Sequence, residues 1–215
     1  MRIAIGGPIA SGKSTLVQKL SEELKTKALS EFANDDPVFD TLLSWLYDGL
    51  EDVEMLLQVY FLHKHWSALA KEDNDIIIDR HMIEHWLFAQ NNIKDKTVRN
   101  FYNSLFYNYI NDVKKVDLYL ILSINWTTFI KRIEKRGRRQ EVDNLEKNLE
   151  YFRKLNSDYI DKLKAQCLIH GIDYQVIDAN GPEEEVLEKA LSIIRHREML
   201  NTVETKNKGN SIYEE

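Results

Sequence analysis

Arg2-Ile3-Ala4-Ile5-Gly6-Gly7-Pro8-Ile9-Ala10-Ser11-Gly12-Lys13-Ser14 is the stretch on which the fold turns. Its opening residues, Arg2 to Ile5, read as a short buried strand running into a glycine loop. From Gly12 to Leu24, apolar residues recur at helical spacing (Leu16, Val17, Leu20, Leu24), so strand, loop and helix follow in order. Residues 7–14 fit G-x-x-x-x-G-K-[ST] in full. Glycines let successive backbone N–H groups turn inward around phosphate oxygens, where a Cβ would intrude. The helix opening at Lys13 adds its N-terminal partial charge. Lys13 brings a point charge for the β- and γ-phosphates, and Ser14 a hydroxyl for Mg²⁺. The residues expected around nucleotide phosphates are therefore Gly7, Ala10, Ser11, Gly12, Lys13, Ser14 and Thr15.

Outward from this stretch, a second strand is expected over Lys27 to Phe32, delivering Glu31 near its end. Asn34-Asp35-Asp36-Pro37 is turn chemistry and also a helix start, with Asp at the cap and Pro in the first turn. Helices are expected over roughly Val38 to Leu46 and Val53 to Ala70. Asp75 to Asp79 is a compact β-branched run, the signature of a strand buried on both faces; Leu118 to Leu122 and Tyr174 to Ile177 read the same way. Strands alternating with helices predict an α/β fold. The expected form is a P-loop NTPase-type three-layer sandwich, with a five-stranded parallel sheet and helices on both faces. One domain is expected over 1–198, and a loosely held polar tail over 199–215, where the hydrophobic period is lost.

A chain of 215 residues suits one such domain, and its 43% apolar and 30% charged residues are ordinary for a globular protein. A net charge of −6 argues against a nucleic-acid polymer as partner, because phosphate-backbone binding needs a basic face. A single cysteine, Cys167, allows no intrachain disulfide. The apolar stretch Ile3 to Ile9 is broken by Gly6, Gly7 and Pro8, unlike a signal peptide. No apolar run approaches the ~20 residues of a membrane span. The expected location is the cytoplasm, away from membranes.

A phosphate loop alone does not separate kinases from GTPases, ATPases or motors. Three further segments do. Asp79-Arg80 sets a carboxylate and a guanidinium at the end of the Ile-rich strand. Arg132-Ile133-Glu134-Lys135-Arg136-Gly137-Arg138 is a dense cationic segment followed by Glu141, and Glu31 ends the second strand. Taken together, in order from Met1 to about Leu191, these segments resemble the deoxynucleoside kinase family, especially its bacterial deoxyadenosine/deoxyguanosine kinase branch.

The resemblance implies ATP-dependent phosphorylation of a deoxynucleoside 5′-hydroxyl in nucleotide salvage, with ATP and Mg²⁺, and a homodimer. It assigns Glu31 as general base and Asp79 as a Mg²⁺ residue beside Ser14. Arg80 would steady the 5′ end and the phosphates, and Arg132, Arg136 and Arg138 would form a lid spanning about 132–144. Glu141 and Tyr47 would hold the 3′-hydroxyl, and Gln58 the base edge. The chemistry asks for the same parts: phosphoryl transfer is mostly positioning and charge neutralisation, with a carboxylate in reach of the attacking hydroxyl. Arg suits a lid better than Lys because its planar fork binds phosphate bidentately.

The family often pairs an Arg and an Asp where this chain has His65 and His85. A neutral imidazole donates from one nitrogen and accepts at the other, so a His pair could still read a base, with altered specificity. Phe88 or Trp86 could stack on a base or pack in the core. His81-Met82-Ile83-Glu84-His85 matches the inverted zinc-protease pattern H-x-x-E-H, here read as a chance spacing of surface histidines. Two other functions share the phosphate loop. A nucleoside-monophosphate kinase of the thymidylate kinase type would want an Arg, not Glu31, beside its already ionised acceptor. A regulatory ATPase would lack the arginine-rich lid.

Overall fold

β1 (Arg2–Gly6) is buried along its length and takes the centre of a parallel sheet. The computed structural model describes residues 1–30, 36–50, 52–72, 74–136 and 145–210. Within them the other strands are β2 (Ala28–Leu29), β3 (Ile76–Asp79), β4 (Leu118–Ser123) and β5 (Tyr174–Asp178), in the order β2-β3-β1-β4-β5. Every neighbouring pair is parallel. Ile5 is level with Asp79 on one side and Leu120 on the other, so the phosphate loop leaves the sheet beside Arg80. The open edge above the carboxyl ends of parallel strands is where α/β sheets bind ligands.

Alternation along the strands divides the core. Ala4, Ile76, Ile78, Tyr119 and Ile121 face one helical layer. That layer contains α3 (Val53–Leu69), α4 (Ile83–Asn92), α5 (Lys96–Asp112) and α8 (Tyr159–His170). Ile3, Ile5, Ile77, Leu120 and Leu122 face the opposite layer, made by α1 (Lys13–Leu24) and α9 (Glu183–Asn210). Each such aliphatic side chain contributes about 1.5–3 kcal/mol by leaving water. Two small satellite clusters lie beside these layers among the described residues. Leu42 of α2 (Pro37–Tyr47) packs on Leu57 of α3. Phe129 and Ile133 of α6 (Trp126–Arg136) pack on Phe152 of α7 (Leu145–Ser157).

Asp36 caps α2 as its sequence position suggests, accepting from the N–H groups of Val38 and Phe39 at 3.2 Å, with Pro37 in the first turn. Other expectations are corrected. Among the described residues β2 is two residues long, and Glu31 and Phe32 of the expected range lie outside them. β5 is an edge strand in which only Ile177 is buried and Val176 is 38% exposed. Among the described residues it pairs with β4 alone. α9 does not stop where polarity rises near Met199 but continues as helix to Asn210. No helix among the described residues is long and apolar enough to cross a membrane.

Candidate active site

The loop between β1 and α1 is shaped by backbone conformations that side chains disfavour. Gly7 has φ +140°, and a Cβ there would lie 2.6 Å from the Leu122 carbonyl oxygen. Ala10 and Gly12 are left-handed at φ 60° and 96°. Ser11 N–H closes the turn on the Pro8 carbonyl at 3.2 Å. Lys13 folds back into the loop, its Nζ donating to the carbonyls of Gly7 (3.0 Å) and Pro8 (2.9 Å). One residue on, Ser14 Oγ donates to Asp79 Oδ2 at 2.6 Å. The other Asp79 oxygen is buried with no hydrogen-bond partner among the described residues.

Arg80 follows directly, in a left-handed conformation (φ 78°) that its N–H holds by donating to the Ile5 carbonyl at 2.9 Å. Its Nη1 donates to Glu84 Oε2 (2.7 Å) and to the Tyr159 hydroxyl (3.2 Å), and its guanidinium lies 4.9 Å from the Phe88 ring centre. Arg132 crosses from α6 to the loop. Nη1 donates to the carbonyl of Ser11 at 3.0 Å, and Nη2 to that of Ala179 at 2.8 Å. It is therefore a strut between the phosphate loop and the turn after β5. Arg136, a turn further along α6, is exposed and faces the same cleft.

That cleft has a volume of about 900 Å³. Ala10 to Thr15, Asp79, Arg80, Gln58, Arg132 and Arg136 all line it. Gly7 sits behind the wall. Gln58 is buried, and its carbonyl oxygen has no partner among the described residues. Phe61 and Phe88 form apolar walls, whereas Trp86 packs against the core. Ser30 and Asp36, which flank the segment carrying Glu31, both line the cleft. Glu31, Arg138 and Glu141 lie outside the described residues, and of Tyr47 only the backbone, at the end of α2, is described.

His65 and His85 meet, His65 Nδ1 lying 2.8 Å from His85 Nε2. They do so behind the cleft wall, not on it: they are 1% and 0% exposed, and the Phe61 ring, which lines the cleft, lies 6.4 Å from that of His85. Burial lowers the pKa of His65 to about 3 and holds His85 well below its ordinary value, so one neutral ring donates to the other. The reading of His81 and His85 as surface histidines is likewise corrected. Both are buried, and no group of three His, Cys, Asp or Glu that could hold a metal occurs among the described residues.

Two carboxylates escaped the sequence reading as parts of this site. Asp36 accepts from the Tyr60 hydroxyl (2.6 Å) and pairs with Lys64 (3.2 Å), and the Tyr60 hydrogen bond lowers its pKa. The i, i+4 spacing of Tyr60 and Lys64 was the available signal. Glu84 lies under the phosphate loop, and its signal was the same spacing from Arg80.

A glycine loop closed on its own lysine, at the end of the central strand of a 2-3-1-4-5 parallel sheet, defines a P-loop nucleotide-binding protein. A family model for deoxynucleoside kinases matches residues 3–197, and the chain belongs to that family; it is a deoxynucleoside kinase. A deoxyguanosine kinase of Lactobacillus acidophilus is 31% identical over 217 residues, covering 90% of this chain and 90% of its own. A deoxyadenosine kinase of the same organism is 31% identical over 204 residues, covering 87% and 93%. The solved deoxyadenosine kinase of M. mycoides with bound dATP has a TM-score of 0.75 at 27% identity, over 91% of this chain and 100% of that one.

Proposed function

We propose that the chain transfers the γ-phosphoryl group of ATP to the 5′-hydroxyl of a purine deoxynucleoside, in nucleotide salvage. The observation that carries this reading is convergence: Lys13, Asp79, Arg80 and Gln58 open on one cleft, and Ser30 and Asp36 bring both ends of the Glu31 segment to its wall. Purine preference rests on the relatives, which are named deoxyguanosine and deoxyadenosine kinases.

In this reading the phosphate loop and Lys13 hold the ATP phosphates, and Gln58, with Phe61 and Phe88, holds the acceptor base. Glu31 takes the proton of the 5′-hydroxyl as its oxygen attacks the γ-phosphorus and ADP departs. Arg80, Arg136 and Arg138 offset charge on the transferring group, and Tyr47 and Glu141 hold the 3′-hydroxyl. Arg132 acts by bracing the loop. The neutral His65–His85 pair backs Phe61 and shapes the base end without adding a formal charge.

Mg²⁺ fits the residues present. Ser14 and Asp79 offer hard oxygen donors side by side, one Asp79 oxygen is unpartnered among the described residues, and the ion would neutralise phosphate charge there. A homodimer in the cytoplasm completes the reading, and light scattering measures the assembly. The test of function is an acceptor panel: the four deoxynucleosides and their monophosphates, each with ATP and Mg²⁺. Deoxyadenosine and deoxyguanosine are expected to consume ATP. Consumption with monophosphates alone would remove Glu31 from its role.

A further inference from the structure

Glu84 entered the sequence reading only inside the H-x-x-E-H pattern, and the reaction above does not use it. It is 0% exposed, in the first turn of α4. A carboxylate there is tolerable only if donors replace its water. They do, from four parts of the fold. Oε2 accepts from Gly7 N–H at 3.3 Å, from Arg80 Nη1 at 2.7 Å and from the Tyr159 hydroxyl of α8. Oε1 accepts from the Tyr119 hydroxyl of β4 at 2.8 Å and from His81 N–H at 3.2 Å. Arg80 also donates to the Tyr159 hydroxyl, so Arg80, Glu84 and Tyr159 form a closed triangle.

Neighbouring residues serve this arrangement. Tyr119 reaches Glu84 by crossing Gly6, where an added Cβ would lie 1.9 Å from the Tyr119 hydroxyl oxygen. Two of the five donors belong to the site itself: Gly7 opens the phosphate cradle, and Arg80 stands on the cleft wall.

We infer that Glu84 is a positioning residue for phosphoryl transfer, locking the Arg80 guanidinium and the start of the phosphate loop into one frame. The inference rests on the reading of Arg80 as a cation that faces the reacting phosphate. Glu84 touches no substrate. It fixes the distance between the group that meets the acceptor and the loop that holds the donor. A Gln at this position keeps the shape but places an NH₂ where one carboxylate oxygen accepts, and it removes the charge that orients Arg80.

The test uses the full chain and compares Glu84→Gln, Arg80→Met and the double variant. The measurements are kcat, KM for ATP and for the deoxynucleoside, and thermal unfolding. Glu84→Gln is expected to lower kcat about 10- to 100-fold, the cost of misplacing a catalytic group by about an ångström, with KM for ATP changed less than about threefold. The double variant is expected to be no slower than Arg80→Met alone, because two residues that act as a unit are non-additive.

A lowered unfolding temperature with kcat unchanged would overturn the inference, as would losses that multiply in the double variant. Should Glu84→Gln fail to fold, Tyr159→Phe and Tyr119→Phe, which each remove one hydroxyl from the same carboxylate, carry the test. A fall in kcat supports the role, and unchanged kcat in both overturns it. Wild-type turnover in Arg80→Met would overturn the reading of Arg80, whereas an inactive Arg80→Met beside a fully active Glu84→Gln would overturn the role of Glu84 alone.

Discussion

Mild acid should destabilise this protein through its buried histidines. Burial lowers the pKa of His65 and of His81 to about 3, and that of His85 well below the ordinary value of 6.5. Between those values and 6.5 the unfolded chain binds protons that the folded chain refuses, so stability falls as pH falls through that window. One unit below 6.5, at pH 5.5, each group costs on the order of 1 kcal/mol, and the three together a few kcal/mol. That is a large part of a typical folding free energy of about 5–15 kcal/mol. Asp36, whose pKa is lowered by Tyr60, remains ionised there and does not share in the loss.

Urea unfolding at pH 7.5 and 5.5 is the assay, and the expected drop in midpoint is roughly 1–2 M. His81→Asn keeps an acceptor for the Ile83 N–H, which His81 Nδ1 now accepts at 3.1 Å, and should flatten the dependence by about a third. Identical midpoints at the two pH values would refute the reasoning, because they would mean that the histidines are charged or solvated in the fold.

Three further outcomes are expected. Lys13→Ala removes the ammonium enclosed by the Gly7 and Pro8 carbonyls and should abolish ATP binding in equilibrium dialysis. Glu31→Gln should leave ATP binding nearly intact and slow transfer by ~10²–10⁴ in single-turnover measurements; normal turnover would exclude it as the base. Gly6→Ala places a Cβ against the Tyr119 hydroxyl and should cost about 1–3 kcal/mol in chemical unfolding, as overpacking does in cores.

The parts of the molecule legible in the sequence were those whose chemistry admits few residue types. Gly7, Gly12 and Lys13 are dictated by a backbone that must wrap an anion. Ile76 to Ile78 and Leu118 to Leu122 are dictated by burial on both faces, so the loop, the central strands and the family could be read directly. β5 could not be placed at an edge, because its exposure depends on having no further neighbour, which no local pattern records. The end of α9 was hidden for a related reason: Glu and Lys are good helix formers without any apolar period. The meeting of His65 with His85, and three of the donors on Glu84 (Gly7, Tyr119 and Tyr159), arise from residues distant in sequence. Phe61 screens the histidines, and Tyr119 and Tyr159 complete the carboxylate. The i, i+4 relation of Arg80 to Glu84 was visible, but its meaning required knowing that β1 ends beside β3.

Arg132 binds main-chain oxygens at Ser11 and Ala179, not side chains. Every residue type offers the same carbonyl, so substitutions at those two positions leave its anchorage untouched. The polar joint between the arginine-bearing helix and the nucleotide loop is therefore indifferent to residue type at its two acceptors, and Ile9 and Ala10 add apolar packing against the Phe129–Ile133–Phe152 cluster, so evolutionary drift in either partner loop can retune donor recognition without unhitching the two.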